Sequence, residues 1–207
     1  MNEQEMFNEA VENLEENLMN SSLIQDNKLL FPIGTKLYRV RMPNQSEQSQ
    51  AETYRNKKYL ELISSGSCTT EVKLIEMLKT SGVADVEELR NEKRKITKEL
   101  EAIYVNLAVR YSSEEKTIEK FKVEAEALKN KLRNLSVAIS ELLIPSIETQ
   151  IEKAYLEKIT SLCTEKCVAE NKWEAKWSSF EEFQKDDPKI TDIATTYITW
   201  LLLNSKA

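Results

Sequence analysis

The chain predicts a mainly α protein: a helical module with a short β strand or hairpin, a long antiparallel helical hairpin of coiled-coil type, and a small C-terminal helical cap. Three observations carry this expectation. Apolar residues recur at alternating spacings of three and four through two long central runs, and a 3.5-residue repeat keeps one stripe of a helix facing another helix along its length. Only 3 Gly and 4 Pro occur among 207 residues, far too little turn chemistry for a sandwich or barrel. One short stretch, residues 28–42, switches to a period of two, the spacing of a strand with one wet face.

The elements follow in order. Residues 3–20 place Met6, Ala10, Val11, Leu14 and Leu18 at helical spacing against a Glu- and Asn-rich face. Such a helix is marginal alone in water, so its apolar stripe needs something to dock on. In residues 28–42 a Pro32-Ile33-Gly34 turn signal stands beside the alternation of Leu37, Arg39 and Arg41 with Tyr38, Val40 and Met42. If nothing inside the chain pairs with that strand, its edge is open to another subunit. Pro43 closes the segment, and Ser46 can cap a helix over about 46–64 whose buried stripe is Tyr54, Tyr59, Leu60 and Ile63. After Gly66, Thr69 and Thr70 can cap a short helix that stops at Gly82.

The first heptad run holds Val86, Leu89, Ile96, Leu100, Ile103 and Leu107 on its seam, with Lys93 as the one polar interruption. Asp85 with Glu88 forms a capping-box pattern at its start. The second run holds Ile118, Phe121, Ala125, Leu128, Leu132, Leu135, Ile139 and Leu142. Two readings compete at the junction. One helix could continue through a stutter at Tyr111 and Glu114, or the chain could turn at Tyr111-Ser112-Ser113 with Ser112 and Glu115 capping the next helix. The hairpin is preferred, because each stripe then buries the other without a second chain. Pro145 breaks the run, and a return helix carrying Ile147, Ile151, Tyr155, Ile159 and Leu162 heads toward Cys167. Trp173, Trp177, Phe180 and Phe183 follow closely, with Ser178 and Glu181 as a further capping pair, and a last helix spans about 190–203. Aromatics at this density form either a small core or a docking patch, and core is the favoured reading. The expected segments are 1–27, 28–84, 85–170 and 171–207.

Composition narrows the function. A net charge of -6 argues against a general nucleic-acid binder, which needs a basic face to displace counterions. The chain has no histidine, which removes the commonest general base and metal ligand. Cys68, Cys163 and Cys167 make an odd set without CxxC spacing, best read as reduced thiols in a cytoplasm. No Gly-rich phosphate loop, dinucleotide fingerprint or nucleophile elbow occurs. Paired carboxylates such as Glu87-Glu88 and Glu181-Glu182 lie at helix starts, where the helix dipole accounts for them. No catalytic residue, cofactor or metal ligand is therefore assigned. The apolar patch at Ile198–Leu203 is too short to span a bilayer, and the N-terminus lacks the basic start and apolar run of a signal peptide.

The order of elements, from Tyr38-Arg39-Val40-Arg41-Met42-Pro43 through Gly66-Ser67-Cys68-Thr69-Thr70-Glu71 and the charged hairpin to Trp177-Ser178-Ser179-Phe180-Glu181-Glu182-Phe183, resembles a loose group of helical proteins encoded among tail and baseplate genes of tailed bacteriophages. That resemblance implies a non-enzymatic assembly chaperone or minor virion component that shields a tape-measure or baseplate subunit. It implies a location in the host cytoplasm or the virion. The residues expected to meet a protein partner are Tyr38, Arg39, Arg41, Trp173, Trp177, Phe180 and Trp200. Two other readings stand beside it: a homo-oligomeric coiled coil using the heptads between chains, and a metal-dependent carboxylate enzyme.

Overall fold

The computed structural model describes residues 24–25, 28–109, 115–169 and 172–204. Among them are five strands, β1 (Ile24–Gln25), β2 (Lys28–Ile33), β3 (Lys36–Arg41), β4 (Thr164–Ala169) and β5 (Lys172–Ala175), and seven helices. The helices are α1 (Gln45–Ser65), α2 (Glu71–Thr80), α3 (Val86–Val109), α4 (Glu115–Leu143), α5 (Ile147–Cys163), α6 (Phe180–Lys185) and α7 (Pro188–Asn204). The mainly helical class with a β hairpin stands. The amphipathic stretch at 3–20 and the turn at Tyr111–Ser113 lie outside the described residues. The chain forms two compact units, one of residues up to Lys58 and from Ile151 onward, the other Tyr59–Gln150. The strand hairpin and α2, placed in one expected segment, thus fall in different units, and α1 and α5 each pass from one unit into the other.

The first unit is built on an antiparallel sheet in the order β1-β2-β3-β4-β5. Gly34, with φ of 58°, makes the left-handed turn between β2 and β3, a conformation that costs any residue with a Cβ. The alternation read in β3 holds: Tyr38 and Val40 turn inward with Leu29 and Phe31, while Leu37, Arg39 and Arg41 stay on the other face. The condition for an open edge at β3 is not met, because β2 and β4 pair with it on both sides. One expectation is corrected. The return helix ends at Cys163, and Cys167 and Trp173 stand opposite each other on β4 and β5. Strand pairing there is set by partners more than 120 residues upstream, Tyr38 with Lys166 and Val40 with Thr164, and such context overrides local propensity.

Helix α7 closes the inner face of the sheet. Ile190, Ala194, Tyr197, Ile198 and Leu201 recur at helical spacing and are buried, and the Tyr197 ring meets Phe31 edge-on at 5.2 Å between centroids. Phe183 packs edge-on against Trp177 at 4.9 Å and stacks on Phe180 at 5.6 Å. The caps differ from those expected by a residue or two. Asn44, not Ser46, caps α1, its Oδ1 accepting from Glu47 N–H while the Glu47 carboxylate accepts from Asn44 N–H, both at 2.9 Å. Ser179 rather than Ser178 caps α6, accepting from Glu182 N–H at 3.2 Å, and Glu182 reaches back to Ser178 N–H at 2.8 Å. At α1 the true cap is the residue that places a Glu at the third helical position, which completes the reciprocal box.

In the second unit α3 and α4 run antiparallel as the expected hairpin. Val86 at the start of α3 shares a buried cluster with Ile139 and Leu143 at the end of α4. Every heptad-seam residue is buried or half-buried, with Ile96, Ile103 and Ala125 among the most enclosed. Asp85 caps α3, accepting from Glu87 and Glu88 N–H at 3.1 and 3.2 Å. Thr70 precedes α2 but its side chain makes no cap bond; the carboxylate of Glu148 accepts from Glu71 N–H at 2.7 Å instead. Helix α2 ends in a Schellman turn, Val83 N–H donating to Leu78 and Gly82 N–H to Lys79, both at 3.1 Å, with Gly82 at φ 71°. The stripe assigned to α1 is the other correction. Tyr59, Leu60 and Ile63 are exposed, and the residue that α1 buries completely is Ala51 in its first half.

Candidate functional site

Of the residues singled out from sequence, the fold brings three, Arg39, Arg41 and Trp173, onto one face of the sheet, from β3 and β5. The outward period of β3 sets Arg39 and Arg41 on one face, and the register puts Arg39 opposite Glu165 of β4. Arg39 Nε donates to Glu165 Oε2 at 2.5 Å and Arg41 Nε to Glu165 Oε1 at 2.9 Å, so one carboxylate spans both cations. The Arg39 guanidinium lies 4.3 Å from the Trp173 ring centroid, a cation–π contact. Tyr38 points to the opposite side, into the core, where it stacks on Phe31 at 5.5 Å.

Arg41 continues the network. Its Nη1 and Nη2 form a fork on Glu47 of α1 at 2.8 and 2.6 Å, the bidentate geometry suited to guanidinium and carboxylate. Glu47 in turn raises the Arg41 pKa, against the opposing effect of burial. The Arg41 bond holds the Glu47 carboxyl below its ordinary range. Beside them the buried Cys163 thiol is pushed up to about 12, by loss of water first and by the Glu47 charge second. A thiol so protonated is a poor nucleophile and a poor metal ligand. The cluster ties β3, β4 and the start of α1 together. Its chemistry is structural, since each arginine is committed to a carboxylate of its own unit.

The aromatic residues divide. Trp177 is buried, and its Nε1 donates to Asp186 Oδ2 at 2.7 Å. Burial opposes ionisation of Asp186, but Lys176 Nζ at 2.6 Å, the Asp187 N–H and Trp177 outweigh it and lower its pKa. Phe180 is half-buried between Tyr54, at 5.0 Å edge-on, and Lys158. Trp200 packs half-buried against the same core. Tyr38 and Trp177 are therefore core residues, while Arg39, Trp173, Phe180 and Trp200 keep part of their surface at the exterior.

Sequence reasoning missed the surface that the second unit leaves open. Leu60 is 65% exposed and Ile63 49%, with Tyr59 beside them, so three large apolar side chains share the last two turns of α1. Val72, Met77 and Val83 in and after α2 are exposed as well. The signal was present in the periodicity of α1, which marks an apolar stripe without saying whether this chain covers it. Among the described residues no group of three or more His, Cys, Asp or Glu is placed to hold a metal. Among them no helix is long and apolar enough to cross a membrane. No protein-family model, curated protein or solved structure matches the chain.

Proposed function

We propose that this chain is a non-enzymatic protein-interaction protein whose partner docks on the apolar turns at the end of α1. The observation behind this reading is the exposure of Tyr59, Leu60 and Ile63 on consecutive turns of one helix. Apolar side chains scattered singly on a surface are ordinary, whereas a contiguous cluster marks a place where another molecule is bound. The bidentate and cation–π contacts of Arg39 and Arg41 make the sheet a rigid base and leave recognition to helix surface. A more specific form, an assembly chaperone or minor structural subunit for a phage tail or baseplate, rests on the resemblance of the sequence's element order to that group of proteins.

The experiment is co-expression with the products of neighbouring genes, followed by size-exclusion chromatography with light scattering. A stoichiometric complex that is lost in Leu60→Glu/Ile63→Glu, with unchanged circular dichroism, supports the reading. A complex indifferent to that double variant, or no complex with any neighbour, overturns it. Association of the chain with itself through the same turns would favour the homo-oligomer.

A further inference from the structure

Strand β5 ends the sheet, and among the described residues no strand pairs with its outer side. Its backbone groups alternate in direction. Lys176 N–H donates to the Thr164 carbonyl at 2.9 Å, so Glu174, two residues back and opposite Lys166, also bonds inward to β4 in an antiparallel ladder. Trp173 and Ala175 alternate with these positions, and their N–H and C=O groups point away from the sheet. The strand is nonetheless firmly held. Arg39 lies over the Trp173 ring at 4.3 Å, and Trp173 stands half-buried opposite Cys167. Lys172 and Glu174 occupy the other face of the strand, exposed and ion-paired with each other at 3.1 Å.

An open edge accepts one more strand, and charge decides which. Charged side chains ordinarily blunt an edge, but the order Lys172-Trp173-Glu174 is complementary to itself. Consider β5 paired antiparallel with a second β5 about a two-fold axis, the same face of the sheet continuing across. Only residues with outward backbone groups can then stand opposite each other as hydrogen-bonded pairs, which leaves three registers of Trp173 and Ala175. Ala175 on Ala175 sets Glu174 opposite Lys176, whose ammonium is already bound to Asp186 at 2.6 Å and is only 18% exposed. Trp173 on Ala175 sets Glu174 against Glu174 and Lys172 against Lys176, and like charges directly opposite are destabilising. Trp173 on Trp173 sets Lys172 opposite Glu174 of the second copy and Glu174 opposite its Lys172, with the two indoles side by side on the other face. That register alone satisfies both backbone and charge.

We propose that β5 is a self-association edge: two copies of this chain join β5 to β5, antiparallel and centred on Trp173, into one continuous sheet. Each Trp173 N–H donates to the Trp173 carbonyl of the other copy. The strand has four residues, so the contact is small and the dimer weak and concentration-dependent. It uses neither the heptad seams nor the α1 turns that would take another protein. Sedimentation velocity of the full-length protein over a concentration series tests it. The wild type should pass from one chain to two. Lys172→Glu and Glu174→Lys each set like charges opposite one another, and each should raise the dimer dissociation constant about tenfold with unchanged circular dichroism. Mixing the two single variants brings opposite charges together again, as does Lys172→Glu/Glu174→Lys in one chain, and both should restore wild-type association. A wild type that stays monomeric, single variants that associate as well as the wild type, or a mixture or double variant that does no better than the single variants would each overturn the proposal.

Discussion

Arg41 joins three elements through one guanidinium, bonding Glu165 on β4, Glu47 on α1 and the Leu162 carbonyl at the end of α5. The sign of its pH dependence follows from Glu47. That carboxyl titrates below its ordinary range in the folded chain, so its stabilisation is complete above the unfolded-state pKa and fades as pH falls through the depressed folded one. Glu47→Gln should cost about 1–2 kcal/mol at pH 7, and the difference from wild type in urea midpoint should shrink between pH 5 and pH 3. Cys163 has the opposite sign. Its folded pKa of about 12 stands above the usual thiol value of 9.0, so stability is full below the unfolded pKa and is lost as pH rises toward the folded one. Between pH 8.5 and 10 the urea midpoint of the wild type should fall more steeply than that of Cys163→Ala, which has no thiol to ionise on unfolding. Equal slopes would show that Cys163 is not shielded. Arg39 and Arg41 were legible as outward residues from the β3 period alone. Their carboxylate partners were not, because Glu47 and Glu165 are fixed by a helix cap and a strand register that local sequence does not display.

At the scale of the element, the chain shows which features a sequence can carry. The hairpin of α3 and α4 was readable because a 3.5-residue repeat encodes both helix and burial in one pattern. Ile96, 2% exposed on its seam, should lose about 2–4 kcal/mol on Ile96→Ala, measured by thermal or urea unfolding. The strands β4 and β5 were not readable. Thr164-Glu165-Lys166-Cys167 lacks the apolar alternation of a strand, since Lys166 and Glu165 both remain half-exposed and the pairing comes from β3. Gly82 illustrates the turn chemistry that was readable. It ends α2 at φ 71°, and a Cβ built there would meet nothing within 4 Å. The cost of Gly82→Ala is therefore conformational alone, about 1–2 kcal/mol. A larger loss would require a clash that the surroundings do not contain.

For the whole molecule, the two helices shared between the units matter more than either core. Helix α1 crosses from one unit into the other after Lys58 and α5 after Gln150, so neither unit can unfold without ending a continuous helix at an interior residue. Each new end strips four backbone groups of their partners. That cost opposes independent melting and favours a single cooperative transition. The probes to test this are built into the chain. Trp173, Trp177 and Trp200 all belong to the sheet unit, so tryptophan fluorescence follows that unit alone, whereas far-ultraviolet circular dichroism is dominated by helices from both. The heptad variant Ile96→Ala weakens only the hairpin unit. If the shared helices couple the two, the fluorescence and dichroism transitions of this variant shift down together and remain coincident. If the units are separable, dichroism melts early in two steps while the fluorescence midpoint stays at the wild-type temperature. Coincidence is the expected outcome, because the tryptophans then report the loss of a side chain that lies in the other core.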